Sequence, residues 1–177
     1  MKNIGTVIIE TDRLLLRRFE IQDSDAVFEN WASSENATKY LTWEPHKNIC
    51  ETRRLIRGWA DAYKDKKFYE WAVVLKDTNE LIGSIDATPA FLTRTFEIGY
   101  CFGEKWWNCG YATEAVKSIM NFLFNRLSCK KIRAKCSVDN KASQRVLTKV
   151  GMTLKKKEIF IPAERGFITC NCYEIKC

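Results

Sequence analysis

Apolar residues alternate with polar ones along some stretches of the chain and recur every three or four positions along others, and these two periods predict the elements. TDRLLLRRF, residues 11–19, sets Leu14 and Leu16 on one face and Leu15 on the other, as a strand does. Asp23 then stands where it can cap a helix through SDAVFENWAS. A second helix is predicted over residues 49–63, where Leu55, Ile56, Trp59, Ala60 and Tyr63 make one apolar stripe. FYEWAVVLK and ELIGSIDATPAF read as a hairpin turning at Asp77, Thr78 and Asn79, with TFEIGYCF as a third antiparallel strand. From Tyr111 the period turns helical, with Ala112, Ala115, Val116, Ile119, Leu123 and Leu127 on one side, until Ser128 precedes the strand KKIRAKCSV. Strand, helix and strand in that order predict a crossover that makes two strands parallel. DNKASQRVLTKVG is a short capped helix closed by Gly151, and strands follow in MTLKKKEIFI and GFITCNCYEIK. The fold class is therefore α/β with a mixed sheet. No repeat or Pro/Gly-rich linker divides residues 1–177, so one domain is expected.

With 177 residues, 46% of them hydrophobic, the chain can bury one substantial core. No apolar run approaches the roughly 20 residues of a membrane span, and charges interrupt the first apolar segment too early for a secretory signal, so a soluble cytoplasmic protein without a membrane partner is expected. The eight cysteines are scattered without a CxxC pair, which favours reduced thiols. Cys170 and Cys172 alternate along one strand and read as small buried side chains rather than as ligands, so no metal is assigned. A net charge of +7 suits a partner bearing phosphates, either nucleic acid or a phosphorylated cofactor. The lysine clusters at residues 64–67 and 155–157 lack interleaved aromatics and read as solvated faces, so nucleic acid is not the expected partner.

The stretch KWWNCGYATEA, residues 105–115, places one glycine between a strand and the long helix. The first amides of a helix have no internal acceptor and the helix dipole is positive there, so Gly110 marks either a plain helix start or an anion seat. Neither GxGxxG nor GxxxxGK[ST] is present. Four ordered motifs add context: ETDRLLLR at residues 10–17, EIGYCF at 97–102, WWNCGYATEA at 106–115 and NKASQRVLTKVGM at 140–152. Together they resemble the GNAT superfamily of acetyl-CoA-dependent N-acetyltransferases, and within it the branch that acetylates the N-termini of ribosomal proteins.

That resemblance implies a mostly antiparallel mixed sheet with a splayed parallel strand pair and about four flanking helices. It implies that the backbone from Asn108 through Cys109, Gly110, Tyr111 and Ala112 to Thr113 holds the pyrophosphate of acetyl-CoA. The pantetheine arm would lie along Tyr100, Cys101 and Phe102, and a backbone amide near Cys101 would face the thioester carbonyl. Trp107 fits the branch and stands among the cofactor-site residues, where it either packs under the loop or contacts the ligand. Cys109 departs from the lysine, arginine or glutamine usual at its position, so either the affinity for the pyrophosphate is lower or Lys105 compensates. Asn140 would contact the pantetheine and Ser143 would protonate the departing thiolate. The tyrosine that many relatives use for that proton falls at Leu147 here.

Read from the residues alone, Asn140 and Ser143 lie three apart on one helix side, and either Asp139 or Asn140 caps that helix. Glu97, on the strand entering the site, is either the base that takes the amine proton or a cross-strand charge partner; Glu70 and Asp86 are the alternatives as base. His46 follows Pro45 in an apparent surface loop. The acceptor pocket implied by the resemblance uses residues 31–49, with Tyr40, Trp43, Glu44 and His46, and residues 160–167. A peptide N-terminus, an amino acid, a polyamine or an aminosugar fits such a pocket. An acetyl-CoA sensor without turnover and a basic nucleic-acid-binding domain are the readings from other classes, and the assembly is expected to be a monomer or homodimer.

Overall fold

A computed structural model describes residues 3–90, 93–160, 164, 166 and 168–177. The strands are β1 (Ile9–Glu10), β2 (Leu14–Arg17), β3 (Glu70–Leu75), β4 (Leu81–Ala90), β5 (Thr95–Phe102), β6 (Lys131–Ser137), β7 (Thr153–Phe160) and β8 (Ile168–Lys176). The helices are α1 (Ser24–Val27), α2 (Glu35–Thr38), α3 (Ile49–Ala62), α4 (Tyr111–Asn125) and α5 (Lys141–Lys149). Among the described residues the strands form one sheet in the order β1-β2-β3-β4-β5-β6-β8-β7. Every neighbouring pair is antiparallel except β5 and β6, which α4 connects as the predicted crossover.

The hairpin between β3 and β4 turns where expected, with Asn79 in the left-handed region at φ 57° and its amide bonded to the Leu75 carbonyl at 2.9 Å. Gly151 closes α5 at φ 87°, a conformation that costs glycine nothing. The first predicted helix is less regular than its pattern suggests. Only residues of α1 are α-helical, and a π-helical turn, Phe28–Ala32, follows. Asp23 does not cap α1 through its side chain. Its carboxylate accepts two hydrogen bonds from Arg17, at 2.7 and 2.8 Å, and the Glu20 amide at 2.7 Å. A bidentate guanidinium is the stronger partner, and it fixes the chain leaving β2. The fifth helix, beyond the four expected, is α2, capped by Ser34 accepting the Ala37 amide at 3.1 Å.

Strand alternation sorts the core onto two faces. Trp71, Val73, Ile85, Phe96, Ile98 and Ile132 pack beneath Ala115, Val116, Ile119 and Leu123 of α4. Ile119 and Leu123 are fully buried, and each contributes about 1.5–3 kcal/mol through the apolar surface it removes from water. On the other face, Ala72, Val74 and Cys101 meet Val27, Trp31 and Ile56 of the early helical segments. The cofactor motifs therefore lie over one face, and α1 to α3 cover the other.

Candidate active site

β5 and β6 pair only from Thr95↔Lys131 to Ile98↔Ala134, although β5 runs on to Phe102 and β6 to Ser137. Beyond Ile98 each strand is held by its outer neighbour: β5 pairs with β4 to Gly83↔Phe102, and β6 with β8 to Ser137↔Cys170. The two strands thus part and leave a gap, as the splayed pair requires.

Backbone alternation decides which amides face that gap. Gly103 donates its amide to Ile82 of β4 at 3.0 Å, and Ser84↔Cys101 continues the same ladder. Amides of one strand alternate in direction, so Cys101 also points to β4 while Tyr100 and Phe102 point into the gap. The Trp107 indole donates to the Phe102 carbonyl at 2.7 Å, which places that carbonyl on the gap side as well.

On the α4 face, a cavity of about 370 Å3 opens along the gap. Its lining includes Tyr100, Cys101, Phe102, Trp107, Asn108, Gly110, Tyr111, Ala112, Thr113, Asn140 and Ser143, all expected from the sequence. Cys109 is exposed and its thiol turns back to the Trp107 carbonyl at 3.4 Å, while its neighbours Asn108 and Gly110 line the cavity. Asn108 and Gly110 both adopt positive φ, 61° and 84°, which sharpens the turn and presents the first amides of α4 to the cavity. Arg13 braces the turn from outside, donating to the Cys109 carbonyl at 3.1 Å, pairing with Glu114 at 2.6 Å and stacking 4.5 Å over the Tyr111 ring. Lys105 is engaged by Glu80 and Trp106 and does not line the cavity. The cations at this cavity are Arg145 and Lys149, one turn apart on α5 and without an ion-pair partner among the described residues. Neither was expected from the sequence, where their spacing after Asn140, on the same helix as Ser143, was the available signal.

Asn140 caps α5 by accepting the Ser143 amide at 3.0 Å and lines the cavity as well. The Ser143 hydroxyl lies 2.8 Å from the Tyr100 hydroxyl. Burial raises the Tyr100 pKa, so the phenol stays protonated and can share a proton with Ser143. Cys136, beside Ser143, is pushed up to about 11 by burial, and Cys101 to about 12, so neither thiol is a ready nucleophile. Leu147 is fully buried in the core below α5.

A second cavity, of about 580 Å3, opens on the opposite face and shares Tyr40, Leu41, Tyr100 and Cys101 with the first. Register puts three carboxylates on its floor: Glu70 opposite Asp86, and Glu97 opposite Thr88. Glu97 pairs with Lys135 across the sheet at 3.4 Å. Burial, with the charge of Glu97 adding to it, lifts Asp86 to about 6. Burial and then Asp86 lift Glu70 well above the usual carboxylate range. Gly99 is required beneath Asp86, because a Cβ there would stand 2.4 Å from its Oδ1. Trp31, Tyr40, Trp43 and His46 line the wall, as residues 31–49 were expected to. His46 is no surface residue: it bonds Thr52 Oγ1 at 2.7 Å, and burial lowers its pKa. Glu44 is not among the lining side chains; its amide is held by the Glu164 carboxylate at 2.6 Å. Of the predicted wall at 160–167, residues 161–163, 165 and 167 lie outside the described residues.

A sheet opened at its one parallel pair, with a helix N-terminus on one side and an acid-lined cavity on the other, defines an acyl-transfer scaffold. The family profile described as Acetyltransferase (GNAT) domain matches residues 13–153, and the chain belongs to this family of acetyltransferases. It is 35% identical over 145 residues to the uncharacterized N-acetyltransferase YoaA of Bacillus subtilis, covering 81% of each chain. The crystal structure of a GNAT-family acetyltransferase from Bacillus anthracis superposes with a TM-score of 0.84 at 30% identity, over 96% of this chain and 98% of that one. RimL, a ribosomal alpha-N-protein acetyltransferase solved with coenzyme A, shares the fold at 21% identity, with a TM-score of 0.79 over 96% and 98% of the chains. Among the described residues no helix is long and apolar enough to cross a membrane, and no group of three side chains is placed to hold a metal ion.

Proposed function

We propose that the chain transfers the acetyl group of acetyl-CoA directly to a primary amine while both substrates are bound. The observation that carries this is the meeting of the two cavities at Tyr100 and Cys101, which gives each substrate its own face of the sheet and one shared point of reaction. The amides of Tyr111, Ala112 and Thr113 at the start of α4 suit the pyrophosphate, and Arg145 and Lys149 supply charge for the cofactor's remaining phosphate. The pantetheine fits the gap beside Tyr100 and Phe102, with Asn140 above it.

Asp86 is the base. Its pKa of about 6 leaves it ionised near neutrality yet basic enough to take a proton from an ammonium group, directly or through water. Glu97, the first expectation for this role, is committed to Lys135 and acts as the cross-strand partner. The gap-facing amides of Tyr100 and Phe102, rather than that of Cys101, stand where charge develops on the carbonyl oxygen. Ser143 gives its proton to the departing thiolate and draws on Tyr100 through their hydrogen bond. Following CoA thiol release over a panel of amines and N-terminal peptides tests this reading. Binding of acetyl-CoA without release on any acceptor would convert it to the sensor reading, and absence of binding would sink both.

A further inference from the structure

Glu70 is the least explained side chain on the acid-lined face. It is 8% exposed at the start of a strand whose other residues on that face, Ala72 and Val74, are apolar. Among the described residues its carboxyl group has neither a hydrogen-bond nor an ion-pair partner, although it lines the acceptor cavity. The chain carries 29 lysines and arginines, yet the cation on this floor, Lys135, goes to Glu97. The residue is buried but its carboxyl oxygens are not among the sealed atoms without a partner, so the group is open to the cavity, where a ligand can reach it.

Position says what that something is. The carboxylates step away from the gap across consecutive strands, Asp86 on β4 and Glu70 opposite it on β3. Neighbouring strands lie about 5 Å apart, so an amine reacting beside Asp86 leaves room for a second cationic nitrogen about three or four carbons further along the floor. The cavity wall is aromatic, with Trp43 tilted against His46 at 5.3 Å and Trp59 also lining the cavity, which suits an alkyl spacer and a cation.

We propose that the acceptor is a diamine, a primary amine with a second ammonium group on a short alkyl spacer, and that Glu70 receives the second cation. The inference rests on the transferase reading above and specifies its acceptor. Burial and the neighbouring Asp86 disfavour the ionised form of Glu70, and an ammonium beside it favours that form and makes a charge-assisted hydrogen bond. A simple alkylamine, or a peptide N-terminus without a neighbouring basic side chain, brings no such second group.

Diaminobutane and aminobutanol, which differ only in that second group, are the probes. Calorimetry on the intact chain with acetyl-CoA or CoA present, and CoA release with each amine, read the preference. Diaminobutane is expected to bind and react about tenfold better. In Glu70→Gln, checked for fold by circular dichroism and by its acetyl-CoA affinity, the preference is expected to fall to about twofold or less. Equal affinity and rate for the two probes in the unmodified protein would overturn the proposal while leaving transfer intact. An undiminished preference in Glu70→Gln would overturn the role of Glu70. Preferential binding without CoA release would sink the transfer reading and leave a diamine site standing.

Discussion

The α4 and α5 face of the gap offers donors and cations: free helix amides, the hydroxyls of Tyr100 and Ser143, Arg145 and Lys149. The opposite face offers acceptors, with Glu70, Asp86 and Glu97 on three consecutive strands. The first set suits a polyanion and the second a cation, and a protein of net charge +7 keeps them apart by the thickness of one sheet. The difference also lies in how each is made. The cofactor side comes from two continuous segments, a turn with its helix and a capped helix, whereas the acceptor floor comes from residues 70, 86 and 97, joined only by register.

The sharpest way to break this contrast is to neutralise the acceptor floor at Asp86. Asp86→Asn is expected to lower kcat/KM by about 100-fold or more while acetyl-CoA affinity stays within about twofold. In the unmodified protein kcat/KM is expected to fall as pH drops through about 6, where Asp86 takes up a proton. The same substitution affects stability in the opposite direction. Asp86 has a folded-state pKa above its ordinary 3.8, so its ionisation destabilises the fold; the penalty is absent below 3.8 and complete above about 6. Asp86→Asn should therefore melt higher than the unmodified protein near neutral pH and lose that advantage in acid. A neutral-pH melting temperature that falls would show that Asp86 is an ordinary structural carboxylate.

Ser143→Ala probes the proton path on the donor side. Turnover is expected to drop by about 10- to 100-fold, read as CoA release, with a smaller change in acetyl-CoA affinity. A wild-type rate would remove Ser143 as the acid and leave Tyr100 to be tested by Tyr100→Phe.

Smaller effects follow at the cations. Removing both Arg145 and Lys149 by alanine is expected to weaken acetyl-CoA binding about tenfold at low salt, and the deficit should shrink as salt screens the phosphates. A deficit that is the same at high salt would mean that the two side chains act by packing. Cys109→Arg, at the exposed mouth of the turn, should tighten binding by only about twofold, because position 109 does not line the cavity. An unchanged dissociation constant would show that charge at 109 is irrelevant.

The sequence made the cofactor side legible to within single residues. WWNCGYATEA and NKAS each lie on one continuous element whose geometry follows from local rules, so Gly110, Asn140 and Ser143 could be placed before any packing was known. Lys105 shows where those rules stop: it is close to the turn in sequence, yet a neighbouring loop claims it through Glu80. The three carboxylates were named from the sequence, but nothing in EIGYCF reveals that Lys135 pairs with Glu97 or that Gly99 clears space for Asp86, the two contacts on which our preference for Asp86 as base rests. His46 does lie in a loop, as expected, but folding back on Trp43 and Thr52 leaves it half-buried rather than exposed.

By itself, then, the order of apolar periods and caps determined the α/β class, the crossover that makes β5 and β6 parallel, and the helix start after Gly110. Those features depend on interactions within a few residues or on the rule that a crossover returns to the same sheet. Only the tertiary structure decided where the parallel pair opens, which amides face the gap and which carboxylates are buried or paired. Those outcomes depend on strand register and on burial, and both arise between segments far apart in the chain.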